Sequence, residues 1–133
     1  DGPVRGSLTA AVTATVLGVH EGWSWVMIVS NAMAGLWALG AGRWPSLRTR
    51  ALWWFTAFAE LAVFVEVALG VGLVAGQGYE VPQFHAFYGF LGIITVAIVY
   101  SYRHQLRHRL YLLYGLGGLF IMGLGIRAMT VKT

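Results

Sequence analysis

The stretch ALWWFTAFAELAVFVEVALGVGLVAG, residues 51–76, runs 26 positions with only two charges, Glu60 and Glu66. About 20 predominantly apolar residues suffice for a helix to cross the hydrocarbon core of a bilayer, so this segment reads as a membrane span that carries two carboxylates. The rest of the chain agrees. Of 133 residues, 58% are apolar and 11% charged, against roughly 25% charged in an ordinary soluble domain. One small core cannot absorb six Trp, seven Phe and several long apolar runs, and lipid is the second apolar medium that can. The fold class is therefore all-α integral membrane.

Four spans can be drawn, at about 23–42, 52–75, 85–100 and 110–129, within a single membrane domain 1–133. Residues 8–19, LTAAVTATVLGV, either extend the first span or form a separate helix at the interface; Ala10, Ala14 and Gly18 recur every four positions, a pattern that favours close packing on a neighbour. The opening DGPVRGSLTA lacks the pattern of a secretory signal peptide. No cysteine is present, which excludes disulfides, iron-sulfur clusters and thiolate zinc sites.

Six of the nine basic residues fall in two linkers, Arg43, Arg48 and Arg50 in one and Arg103, Arg107 and Arg109 in the other, while GQGYEVPQ between them in sequence has none. Basic loops flanking spans follow the positive-inside rule and point away from nucleic acid as a partner. They predict a bacterial inner (cytoplasmic) membrane, with loops 43–51 and 101–109 cytoplasmic and both termini on the non-cytoplasmic side. Trp37, Trp44, Trp53, Trp54, Tyr100 and Tyr111 gather toward the basic side, and Trp23, Trp25 and Tyr79 toward the other, as interfacial belts do.

An internal repeat is visible. HEGWSWVMIVSNA from His20 aligns with HAFYGFLGIITVA from His85, and LRTRALWWF from Leu47 aligns with LRHRLYLLY from Leu106, in the same order. Two like-facing halves of two spans each are related by an axis along the membrane normal, which predicts a four-transmembrane-helix bundle from two parallel-repeat hairpins. Gly115, Gly118 and Gly125 on the fourth span, with Ala34 and Ala38 on the first, form small-residue faces of the kind through which helices associate in lipid.

Intramembrane polar residues are expensive and mark partners or sites. Glu60 lies at the depth of Asn31, so a protonated Glu60 bonded to Asn31 is expected, with a proton-relay role as the functional alternative. Glu66 and Arg127 reach similar heights and are expected to form a structural ion pair. Six residues separate Glu60 from Glu66, about 120° around a helix, too far apart in direction for one paired-carboxylate site.

His20 and His85 are equivalent under the repeat and should meet across the bundle. Facing imidazoles can clamp a haem iron, bind a metal or hold a quinone carbonyl, so haem b or quinone is the candidate cofactor. The arrangement resembles membrane b-type cytochromes built on four-helix bundles. Glu21 and Glu80 share that surface, which leaves a His/Glu metal site conceivable. His104 and His108 have a zinc-compatible spacing, yet three neighbouring arginines oppose a cation there. No nucleophile elbow, phosphate loop or zinc-protease motif occurs, so no catalytic residue is assigned.

The stretch HAFYGFLGIITVAIVYSYRHQLRHRLYLLYG is similar in style to small, functionally uncharacterised multi-spanning membrane proteins of high-GC bacteria, a resemblance that implies helical membrane architecture and no activity. The leading expectation is a non-catalytic accessory or assembly subunit of a larger bacterial membrane complex, such as a respiratory one, with the lipid bilayer and other membrane subunits as partners. The alternatives are a haem- or quinone-binding electron carrier using His20 and His85, and a proton-coupled transporter using Glu60.

Overall fold

The computed structural model describes residues 2–78 and 80–131. Among these residues the chain is all-helical: α1 (Gly2–Arg43), α2 (Arg50–Gln77), α3 (Gln83–Ser101) and α4 (Leu110–Thr130), with 3-10 turns at Pro45–Leu47 and Arg107–Arg109. Prolines occur only where a helix can take them. Pro3 sits in the first turn of α1, Pro45 opens a 3-10 turn and Pro82 caps the start of α3, positions at which a missing N–H removes no helical bond. Gly78 ends α2 with φ of 66° and returns its N–H to the Leu73 carbonyl, the left-handed cap that glycine adopts without strain.

All four helices are long and apolar enough to cross a membrane. Residues 8–19 belong to α1 and do not form a helix of their own. At 42 residues α1 is about 63 Å long, roughly twice a bilayer's hydrocarbon thickness. Its residues 2–12 are exposed throughout. The Ala10, Ala14, Gly18 stripe does not pack on a neighbour as its spacing predicts: all three are exposed, and a Cβ on Gly18 would meet nothing. That face of α1 has no neighbouring atoms within contact distance at Gly18.

α1 packs most extensively on α4 and then on α2, α3 packs on α4, and α2 touches α3 only slightly. The reason for the α1–α4 intimacy is the glycine stripe. A Cβ on Gly118 would lie 2.8 Å from the Asn31 carbonyl oxygen and 2.9 Å from the Gly35 Cα, and one on Gly35 would lie 2.8 Å from the Gly115 oxygen, so the two backbones touch. Ala34 and Ala38 are buried on the same face of α1. At mid-height Met27, Ile28, Ala62, Val63, Val96 and Ile121 form a core to which every helix contributes.

The two arginine-bearing connections lie at the same end of the bundle, and their cations cap helices. Arg48 donates through Nε to the Ala41 carbonyl (2.6 Å) and through Nη2 to that of Gly42 (3.1 Å), and Arg103 Nη1 donates to the Tyr100 carbonyl (2.7 Å). Both satisfy last-turn carbonyls that a helix leaves unpaired. The aromatic residues divide more finely than a belt would. Trp44, Trp54 and Tyr100 are exposed, whereas Trp37, Trp53 and Tyr111 pack on Ala38, Ala41 and Leu52 and fill this end of the interior. At the other end Trp25 is exposed, while Trp23 turns inward and donates from Nε1 to the Ala62 carbonyl at 2.9 Å. Tyr79 lies outside the described residues.

Candidate functional site

At the end opposite the arginines the interior is hollow. A cavity of about 660 Å³ lies among the four helices, walled by Met27, Val63, Ile121 and Leu124 and bearing His20, Glu66 and His85. Its polar side chains come from three helices, and the sparse α2–α3 contact leaves the space between them.

His20, on α1, places Nδ1 3.1 Å from Oε1 of Glu66 on α2, with both side chains largely buried. The approach lacks the alignment of a hydrogen bond, so the contact is one of charge proximity between a carboxylate and an imidazole. Gly70, one turn beyond Glu66, makes room for the ring: a Cβ there would stand 3.3 Å from His20 Cε1. His85, at the start of α3, places Nδ1 2.7 Å from the carbonyl oxygen of Ala128 on α4. The two rings stand edge to face, with centroids 6.0 Å apart and planes at 71°.

These contacts determine where the protons sit. A backbone carbonyl can only accept, so Nδ1 of His85 carries the hydrogen, and in the neutral ring Nε2 then holds the lone pair. At His20 the nearest acceptor is Oε1 of Glu66, beside Nδ1, an arrangement that in the neutral ring favours the hydrogen on Nδ1 and the lone pair on Nε2. Among the described residues neither Nε2 has a hydrogen-bond partner. Engagement of one ring nitrogen by a carbonyl or carboxylate, leaving the other free, is how metal-binding histidines are held.

The structure differs from the sequence expectations at two residue pairs. Glu66 does not pair with Arg127. Leu124 and Ala128 take the inward face of α4 and are buried, so Arg127, one residue and about 100° from Ala128, points outward, exposed, with its guanidinium carbon 5.9 Å from the centre of the Tyr88 ring. Glu60 does not bond to Asn31 either. The Asn31 Nδ2 donates to the carbonyls of Met27 (2.9 Å) and Ala59 (3.0 Å), using α2 backbone one residue short of Glu60.

Among the described residues no three His, Asp or Glu side chains come together as a metal-holding group, so Glu21 and Glu80 do not complete a His/Glu site with the two histidines. His104 and His108 are exposed at the arginine end. Three parts of the site had no sequence-level assignment: Glu66 as the partner of His20, Gly70 as the space for its ring, and the Ala128 carbonyl. Glu66 and Gly70 share a helix face four residues apart, a signal available in principle, whereas a backbone acceptor on another helix leaves none. Comparisons with protein-family models, with curated proteins and with solved structures find no match.

Proposed function

We propose that the chain is an integral membrane protein that holds a b-type haem between His20 and His85. In this reading two like-facing hairpins descended from a repeat form the bundle, in a bacterial inner membrane with the arginine loops cytoplasmic and both termini on the other side. The observation that carries it is a pair of imidazoles, His20 beside Glu66 and His85 bonded through Nδ1 to the Ala128 carbonyl, that line one largely apolar cavity. The two ring centres stand 6.0 Å apart, and these two side chains would hold the group, whose iron would supply one-electron redox chemistry. The tautomer argument favours iron over a quinone: a quinone carbonyl needs a donor, and both free nitrogens of the neutral rings are acceptors. Exposed Leu36, Phe58, Leu61, Phe90, Ile98 and Phe120 support lipid as the surrounding medium.

The test is titration of the purified protein in detergent with haemin. Saturable binding at one per chain, with a low-spin spectrum that is lost in both His20→Ala and His85→Ala, supports the reading. A spectrum unchanged in both variants would exclude it.

A second reading, an accessory subunit of a larger membrane complex, draws on the projecting start of α1, where Val4, Leu8, Val12 and Val19 are exposed. Cofactor carriage and membership of a complex are compatible. Purification in mild detergent checks the second: copurifying membrane subunits are expected, and a lone monomer counts against it.

A further inference from the structure

We infer that Glu60, Thr56, Asn31 and Tyr114 surround one water molecule and that Glu60 carries an exchangeable proton there, a site separate from the two histidines. A second, much smaller cavity lies at mid-bundle, bounded by these four residues and by Val96 and Val99. Its volume is about 10 Å³, at the lower limit of what a single water needs. The walls otherwise consist of apolar side chains and the glycines of α4.

Thr56 supplies the independent observation. Threonines within helices commonly return their hydroxyl to the carbonyl four residues back, and two threonines of this chain do so: exposed Thr15 bonds to Ala11 and half-buried Thr95 to Leu91. Thr56 does not. It is 7% exposed, and its Oγ1 is buried without a protein partner. A buried hydroxyl left unsatisfied is unfavourable, and a water with two to four polar neighbours removes that penalty. Glu60, one turn further along the same helix, has no ion pair or hydrogen bond of its own among the described residues. Asn31 commits its amino group to two backbone carbonyls, which leaves its amide oxygen as an acceptor.

The charge surroundings decide the state of the carboxyl. From α1 the cavity is lined by neutral Asn31 and Ala34, from α3 by Val96 and Val99, and from α4 by Tyr114 with Gly117, Gly118 and Ile121. Arg103 lies within electrostatic reach of Tyr114, yet no cation borders the cavity. A carboxyl deep in an apolar bundle without a counter-ion stays protonated. Water bonded to Thr56 gives its proton a route to exchange without opening the helices.

Infrared spectroscopy of the protein in bilayers tests this. A protonated-carboxyl C=O band is expected at neutral pH, absent from Glu60→Gln, that moves to lower frequency when H₂O is replaced by D₂O. In Thr56→Val it should move to higher frequency, because the water loses a partner and bonds the carbonyl less firmly. Absence of a Glu60-dependent band would overturn the inference. So would a band indifferent to D₂O, or one unmoved in Thr56→Val. The isotope shift is read on the unaltered protein, so the test survives a variant that fails to fold, and the haem titration neither supports nor weakens it.

Discussion

The α1–α4 seam and the α2–α3 face are built from the same kinds of residue and behave in opposite ways. Along the seam, Gly35, Gly115 and Gly118 bring backbone onto backbone, and a methyl group at any of them would approach its neighbour within 3.0 Å. At the α2–α3 face only Gly92 brings the helices close, and there against a side chain, Val63 Cγ1 at 3.3 Å. The larger unfilled volume, with His20, Glu66 and His85, opens on the second side. Helices that meet through glycine leave no space between them, so a bundle with one glycine-rich seam is able to keep a cavity elsewhere without coming apart. Stability and the candidate site are thus assigned to different helix pairs.

The harshest way to break this comparison is Gly118→Leu. A large side chain at a backbone contact of 2.8 Å has no neighbour able to yield, and a loss of at least about 3 kcal/mol is expected, read as a fall in unfolding midpoint in detergent or as loss of the folded form. His85→Ala should leave the bundle folded, with destabilisation of about 1 kcal/mol from the lost bond to Ala128, and should abolish haemin binding. Glu66→Gln keeps the shape of the side chain but removes the charge that orients His20, and metal-histidine sites typically lose about 10–100-fold in affinity when such a partner is lost. Equilibrium haemin titration measures that loss.

Identical small substitutions on the two sides sharpen the contrast. Gly118→Ala pushes a methyl into α1 backbone, and about 1–3 kcal/mol is expected. Gly92→Ala meets only the tip of Val63, which can rotate away, and less than about 1 kcal/mol is expected. Equal effects in a side-by-side thermal or denaturant unfolding experiment would contradict the division between seam and open face.

Much of the architecture was legible because it depends on composition along the chain. Four apolar runs broken by basic or proline-bearing linkers define four helices to within a few residues except at the start of α1, which begins at Gly2 and not near residue 23, and Gly115 and Gly118 announce a close seam. The nearness of His20 and His85 was readable from the match of HEGWSW with HAFYGF. What could not be read was rotation about each helix axis. In helices that are apolar all round, too few polar residues remain to mark an inward face, so Glu66 and Arg127 share a height but not a direction. The same lack of a marked face hid the choice of Asn31 for the Ala59 carbonyl over the Glu60 carboxyl. The Ala128 carbonyl is main chain and has no residue signature at all. The packing expected of Ala10, Ala14 and Gly18 failed for a related reason: regular small residues look the same whether or not a partner helix stands opposite them.

The central claim is that both imidazoles are tethered at Nδ1 and present Nε2 lone pairs to one cavity. Solid-state nitrogen NMR of histidine-labelled protein in bilayers, without added ligand and above pH 7, tests it most directly. His20 and His85, assigned by loss of signal in their alanine variants, are predicted to show protonated Nδ1 and unprotonated Nε2. Signals from both rings with the hydrogen on Nε2 would contradict the account and remove the basis for a metal-centred ligand.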